Sequence, residues 1–164
     1  MQPNKNELPL KYQGYTIALQ EVPDEISLAF NVSGCIHKCP DCHSKYLWEY
    51  KGHYLREDLQ RVLSINKEYI SCVCFMGGDQ NLEELYDLCK EVKDEGLKVC
   101  VYSGADDMEI FSSFICNSVI DYLKIGSYKQ EFGGLNSVNT NQRMYKIVDF
   151  QISDITEQFQ KPKM

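Results

Sequence analysis

The stretch from Ser71 to Ile125, SCVCFMGGDQNLEELYDLCKEVKDEGLKVCVYSGADDMEIFSSFICNSVIDYLKI, decides the fold. Ser71 to Met76 is a short apolar run of the kind that suits a strand buried on both faces. Gly77-Gly78-Asp79 ends it, and Asn81 opens a helix. The Asn81 side chain can cap that helix, Glu84 stands three positions on, and Leu82, Leu85, Leu88, Cys89 and Val92 fall on one face. Gly96 stops it. Leu97 to Tyr102 reads as the next strand, Asp107 to Ile115 as a helix with Phe111 and Ile115 on one side, and Val119 to Ile125 as a third strand. Strand, helix, strand, helix, strand predicts βαβ units and so a parallel sheet covered by helices.

Toward the N-terminus, Tyr54 to Ile65 carries Leu55, Leu59, Val62 and Leu63 at helical spacing with charged residues between them. Ile26 to Val32 alternates as a strand, and Tyr15 to Leu19 is a plausible earlier one, with Pro23-Asp24 as the turn that makes them neighbours. Between strand and helix lies Asn31 to Trp48, NVSGCIHKCPDCHSKYLW. Toward the C-terminus, Gly126-Ser127-Tyr128 and GGLNSVNTNQR, Gly133 to Arg143, form a glycine- and amide-rich loop, and the polar tail Glu157 to Met164 is expected to fray. Reactive groups in such a sheet belong at the C-terminal edge of the strands. Cys35 to Cys42, Gly77 to Asp79, Ser103-Gly104 and Gly126 all follow strands, so all are expected at one edge. The chain is shorter than the roughly 250 residues of a complete eight-unit barrel. The expected architecture is therefore α/β: a single domain over residues 1–164, folded as a partial, open β/α barrel with a mostly parallel sheet.

At 164 residues, with 43% hydrophobic and 25% charged residues, the chain can bury one core and falls outside the disordered and membrane classes. The formal net charge of -7 and the lack of a basic stripe argue against a nucleic-acid backbone as partner. The start, MQPNKNELPLKYQG, lacks the apolar core of a signal peptide, and no apolar run approaches a membrane span, so a cytoplasmic protein with no membrane partner is expected. In a reducing compartment eight cysteines are better read as metal ligands or buried thiols than as disulfides. Cys72 and Cys74 alternate on a buried strand and read as small hydrophobes, as do Cys89, Cys100 and Cys116.

Cys35, Cys39 and Cys42 form a C-x-x-x-C-x-x-C loop. Three thiolates in one loop can converge on a soft metal centre, but a structural zinc site takes four protein ligands and an ordinary iron-sulfur cluster four cysteines. Two readings stay open. A fourth ligand such as His37, His43 or a distant cysteine would complete a zinc site, whereas an incomplete set would leave a metal position open for chemistry.

The cysteine spacing resembles the cluster loop of the radical S-adenosylmethionine superfamily, and SGCIHKCPDCHSKYLW, Ser33 to Trp48, looks like the activating proteins of anaerobic ribonucleotide reductases. The run Asn139 to Arg143, NTNQR, resembles the same proteins, and the likeness extends from about Asn31 to Ile147. It implies a 4Fe-4S cluster on Cys35, Cys39 and Cys42 whose remaining iron binds the amino and carboxylate groups of S-adenosylmethionine. It further implies reductive cleavage of that cofactor to methionine and a 5'-deoxyadenosyl radical, which takes hydrogen from a backbone glycine of anaerobic ribonucleoside-triphosphate reductase, with flavodoxin or ferredoxin as electron donor. Asp41 stands where many superfamily members carry an aromatic residue. Gly77, Gly78 and Asp79 resemble the glycine-glycine-acid motif that holds the methionine amino group, with Gln80 in place of a common proline. Ser103 could present its hydroxyl to the methionyl or ribose part. Asn141 and Arg143 complete the expected cofactor-binding set, Arg143 pairing with the cofactor carboxylate or with an acidic side chain of a partner. His37 and His43 are candidates for contacts behind the ligands.

Overall fold

The computed structural model describes residues 8–40 and 42–160. In chain order the elements are β1 (Lys11–Ala18), β2 (Ser27–Val32), β3 (His53–Tyr54), α1 (Leu55–Asn66), β4 (Cys72–Met76), α2 (Leu82–Asp94), β5 (Lys98–Tyr102), α3 (Ser112–Cys116), β6 (Tyr122–Ile125), β7 (Arg143–Val148) and β8 (Gln151–Asp154). The eight strands form one sheet in the order β3-β1-β2-β4-β5-β6-β7-β8.

The βαβ reading holds at the centre, where β2, β4, β5 and β6 lie side by side and parallel. A mostly parallel sheet does not follow from it. The four outer pairings, β3 with β1, β1 with β2, β6 with β7 and β7 with β8, are antiparallel, so three of seven pairings are parallel and the sheet is mixed. For two of these pairings the cause is the connection. β1 and β2 are joined by a short link and β7 and β8 by the two residues Asp149 and Phe150, and neither leaves room for the crossover a parallel pair needs.

Alternation along the strands separates two faces. Leu28, Phe30, Val73, Phe75, Val99, Val101, Leu123 and Ile147 pack on one side against Leu59 and Val62 of α1, Leu85, Leu88 and Val92 of α2, and Phe114 of α3. All three helices thus cover one face. The other face carries a smaller cluster, Ala29, Cys72, Cys74, Cys100, Tyr122 and Met144, closed by Val22, Leu135, Ile155 and Phe159 from loops and the C-terminal segment.

Local chemistry sets the boundaries. The β1 strand begins four residues earlier than expected because its register with β2 shifts between Tyr12 and Tyr15, where Gly14 takes φ +87°, and that bulge hides the alternation. Asn81 caps α2 as expected, its Oδ1 accepting from the Glu84 amide at 3.1 Å. Glu84 does not complete a reciprocal capping box; its carboxylate accepts from the Leu10 amide at 2.9 Å and so fastens the N-terminal segment to α2. The expected helix from Asp107 becomes a 3-10 turn, Met108–Phe111, before the five-residue α3. Near the end, Thr156–Phe159 form another 3-10 turn with Thr156 buried, so the expected fraying does not begin at Glu157; residues 161–164 lie outside the described residues. No helix among the described residues is long and apolar enough to cross a membrane.

Candidate functional site

Four side chains in one row floor a cavity of about 200 Å³ at the C-terminal edge of the parallel strands. Asn31 pairs with Met76, Met76 with Tyr102 and Tyr102 with Lys124. The pleat turns all four toward the face without helices, and all four line the cavity.

The loop between β2 and a 3-10 turn at Lys45–Trp48 forms a wall. Gly34 takes φ +78°, and its amide and that of Cys35 donate to the carbonyls of Glu49 and Leu47 at 3.3 and 3.0 Å. The Ser33 hydroxyl donates to the Lys51 carbonyl at 2.6 Å, and buried Gln80 donates through Nε2 to the Ser33 carbonyl at 2.6 Å. With its base fixed, the loop brings Cys35, Cys39 and Cys42, all partly exposed, to the cavity. The Ser44 amide donates to Cys42 Sγ at 3.3 Å, the kind of contact that tunes an iron-sulfur centre.

Among the described residues no three His, Cys, Asp or Glu side chains are placed to hold one metal ion. A zinc site would gather its donors about 2.3 Å from a single point. A cubane cluster takes each cysteine on a different iron, which does not require the sulfurs to converge on one point. Three accessible thiols, an amide-to-sulfur bond and apolar walls from Ile36, Leu47, Trp48 and Met76 suit such a group. The strand cysteines differ: Cys72, Cys74 and Cys100 are fully buried, and burial pushes the Cys72, Cys89 and Cys100 thiols up, away from the thiolate a metal needs. Cys116, expected to be buried, is exposed at the end of α3.

Gly77, Gly78, Asp79 and Ser103 reach the same cavity. Both glycines take φ +119°, and a Cβ on Gly78 would meet Leu85 at 3.0 Å and one on Gly77 would meet Val32 at 3.2 Å. The turn therefore requires glycine for backbone conformation and inward packing. Asp79 is nearly buried. Its Oδ2 accepts from Ser103 Oγ at 2.6 Å and also meets His37 Nε2, whereas its Oδ1 has no partner. The hydrogen bond to Asp79 raises the His37 pKa against the opposing effect of burial. His43 Nε2 lies 3.1 Å from the Tyr128 hydroxyl and ties the cysteine loop to the loop after β6.

Asn141 and Arg143 do not line the cavity. Asn141 donates through Nδ2 to the Ser127 carbonyl at 2.9 Å. Arg143 is the first residue of β7, half-exposed, with Nη1 3.6 Å from Asp154 of β8. Between them Gln142 does reach the cavity and donates to the Gly126 carbonyl at 3.2 Å. Lys124, Gln80, Gln142 and Trp48, with the floor residues Asn31, Met76 and Tyr102, are among the lining residues that sequence reasoning did not assign to the site. Only Lys124 left a signal, as a lysine inside an otherwise apolar strand. Burial pushes its amine down while the negative charges of Cys39, Asp79 and Cys42 pull it up. Asp41 lies outside the described residues.

A larger cleft of about 540 Å³ lies where α1 and α2 begin, lined by Arg56, Glu57, Glu83, Glu84 and Asp87. Its cation is already paired, Arg56 lying 3.6 Å from Glu84 and 3.7 Å from Asp87. It holds no thiol, so the smaller cavity is the better candidate for chemistry.

No curated protein and no solved structure matched the chain. One family model did, described as a 4Fe-4S single cluster domain, over residues 26–153. The matched span runs from the residue before β2 into β8 and takes in the whole cysteine loop and every strand that floors the cavity. The metal centre that the three loop thiols suit is thus the one the family is described by, and the chain belongs to the 4Fe-4S single cluster domain family.

Proposed function

We infer that this 4Fe-4S protein is a radical S-adenosylmethionine enzyme, the activase of anaerobic ribonucleoside-triphosphate reductase. The observation that carries this reading is the meeting, in one cavity, of the three loop thiols with a buried aspartate whose Oδ1 is unpartnered. An acceptor held in place by Ser103 and His37, beside a cluster site, suits the ammonium of a ligand that also approaches the metal. A cluster on Cys35, Cys39 and Cys42 would supply the electron that cleaves the sulfonium bond of S-adenosylmethionine, and a flavodoxin or ferredoxin would replace that electron.

The chain's own part is to bind, orient and exclude. Asp79 takes the amino group, Met76 and Tyr102 floor the site, and Ile36, Leu47 and Trp48 limit water. Consecutive parallel strands with every helix on one face are the winding of a β/α barrel, so the sheet is read as a partial barrel. Its open side leaves room for an extended glycine-bearing segment of the reductase. The identity of that partner rests on the resemblance of Ser33 to Trp48 and of Asn139 to Arg143.

The test is anaerobic reconstitution with iron and sulfide analysis, followed by mixing with reductant, S-adenosylmethionine and the reductase of the same organism. A glycyl radical on the reductase by electron paramagnetic resonance is expected. A radical raised instead on a different glycyl-radical enzyme would keep the chemistry and reject the partner. Protein that binds zinc and no iron would reject both.

A further inference from the structure

We propose that the Trp48 indole N–H donates a hydrogen bond to a sulfur of the iron-sulfur cluster, and that this contact raises the cluster's reduction potential. The inference rests on a cluster held by Cys35, Cys39 and Cys42 and is independent of the S-adenosylmethionine reading.

Trp48 ends the 3-10 turn Lys45–Trp48 and lines the cavity together with the three loop thiols. Two backbone bonds pin it beside the first of them. The Cys35 amide donates to the Leu47 carbonyl at 3.0 Å and the Gly34 amide to the Glu49 carbonyl at 3.3 Å, so the residues on either side of Trp48 are fastened to Cys35 and its neighbour. Exposed Lys45 covers one face of the indole with its ammonium, 5.6 Å from the ring centroid, and so restrains the ring.

Held in this way, the indole Nε1 is buried and has no hydrogen-bond partner among the described residues. An N–H that only donates, withheld from both water and protein, costs about 1–3 kcal/mol. Folded chains seldom keep such a group, and a bound ion or cofactor is one of the few reasons to do so. The acceptor that completes it belongs in the cavity that Trp48 lines, next to Cys35, and the thiolate and sulfide sulfurs of a cluster are the anionic acceptors which that position implies. The Ser44 amide already donates to Cys42 Sγ at the far end of the loop. Trp48 supplies the matching donor near the first ligand. Reduction adds one negative charge to the cluster, so an N–H directed at its sulfur stabilises the reduced form more than the oxidised one and moves the potential up. The aromatic body excludes water while the polar tip meets the sulfur.

Trp48 is the only tryptophan in the chain, so feeding a tryptophan analogue to an auxotrophic host alters this position alone. The experiment titrates the reduction potential of the cluster-loaded protein anaerobically and without S-adenosylmethionine. It compares wild type, protein carrying benzothienylalanine, in which a sulfur atom replaces the indole N–H at nearly unchanged shape, and Trp48→Phe. Loss of the donor is expected to lower the potential in both by about 59 mV, which is about a tenfold change in the one-electron equilibrium. A second measurement uses wild-type protein labelled with the heavy nitrogen isotope in the indole ring alone. Pulsed electron paramagnetic resonance of its reduced cluster is expected to show coupling to that nitrogen, and this needs no variant to fold. An unchanged potential in the benzothienylalanine protein would overturn the assignment, as would a shift confined to Trp48→Phe, which would mark a packing effect, or a wild type without nitrogen coupling. A shift that appears only after S-adenosylmethionine is added would overturn it too, by giving the donor to that ligand. Wild type that assembles no cluster would instead overturn the cluster site on which the inference rests.

Discussion

Burial makes single polar contacts count, and Tyr12 shows how. It is nearly buried in β1, and its hydroxyl donates to Asp58 of α1 at 2.7 Å. That bond is the largest cause holding the Asp58 carboxyl below its usual range, and burial followed by Asp58 pushes the Tyr12 phenol up to about 12. The Asp58 contribution is present above its unfolded pKa and is lost as pH falls through the lowered folded value. The Tyr12 contribution is present below its ordinary value and is lost as pH rises through about 12. Tyr12→Phe should therefore cost about 1 kcal/mol at neutral pH, and urea unfolding should show that difference fading in acid. Gly78 makes a second case. Gly78→Ala places a Cβ against Leu85 in a backbone with φ +119°, and should cost about 1–3 kcal/mol. Chemical denaturation would show a lower midpoint with the slope unchanged; an unchanged midpoint would mean that the turn relaxes.

Between elements, the connections hold the strain. The turn joining β7 and β8 puts Asp149 at φ +49° and Phe150 at φ +67°. Two-residue hairpin turns with both central residues at positive φ favour Asn-Gly, and a bulky aromatic there is disfavoured. Phe150 is also exposed, so replacing it removes no core packing. Changing Asp149-Phe150 to Asn-Gly should raise stability by about 1 kcal/mol, read as a higher melting temperature. A loss of stability would show that the Phe150 ring supports the hairpin. The same turn explains why β7 and β8 escaped sequence reading, for Asp-Phe is not a turn signal and Lys146 and Arg143 blur the alternation of Arg143 to Val148.

For the whole molecule, the sheet is held by one large core against the helices, while the cavity face has a smaller cluster and a loop fastened by a few hydrogen bonds. The cysteine loop therefore gains most from a ligand that crosslinks it. Because a group bound by the folded chain and not by the unfolded one stabilises it by mass action, cluster reconstitution should raise the unfolding midpoint. Cys35→Ser, Cys39→Ser and Cys42→Ser should each abolish that increase together with the iron-sulfur absorption, and Cys74→Ser should abolish neither. Equal loss from Cys74→Ser would move the ligands to the strand thiols.

The sequence by itself determined the donor set and the central winding. Three cysteines within eight residues are neighbours whatever the rest of the chain does, and periods near two and 3.6 are written in contiguous residues, so β2, β4, α2 and β5 were legible. The tertiary structure alone decided which cation enters the cavity. Lys124 and Arg143 are both basic and both near the glycine- and amide-rich loop, and although Lys124 interrupts an apolar strand, nothing local shows which of the two faces the cavity. Pairing does: β6 beside β5 aligns Lys124 with Tyr102, while β7 pairs Arg143 with Ile125 and β8 brings Asp154 to its guanidinium. Strand register joins residues far apart in the chain and sends alternate side chains to opposite faces, so it depends on the sheet as a whole and not on any stretch within it.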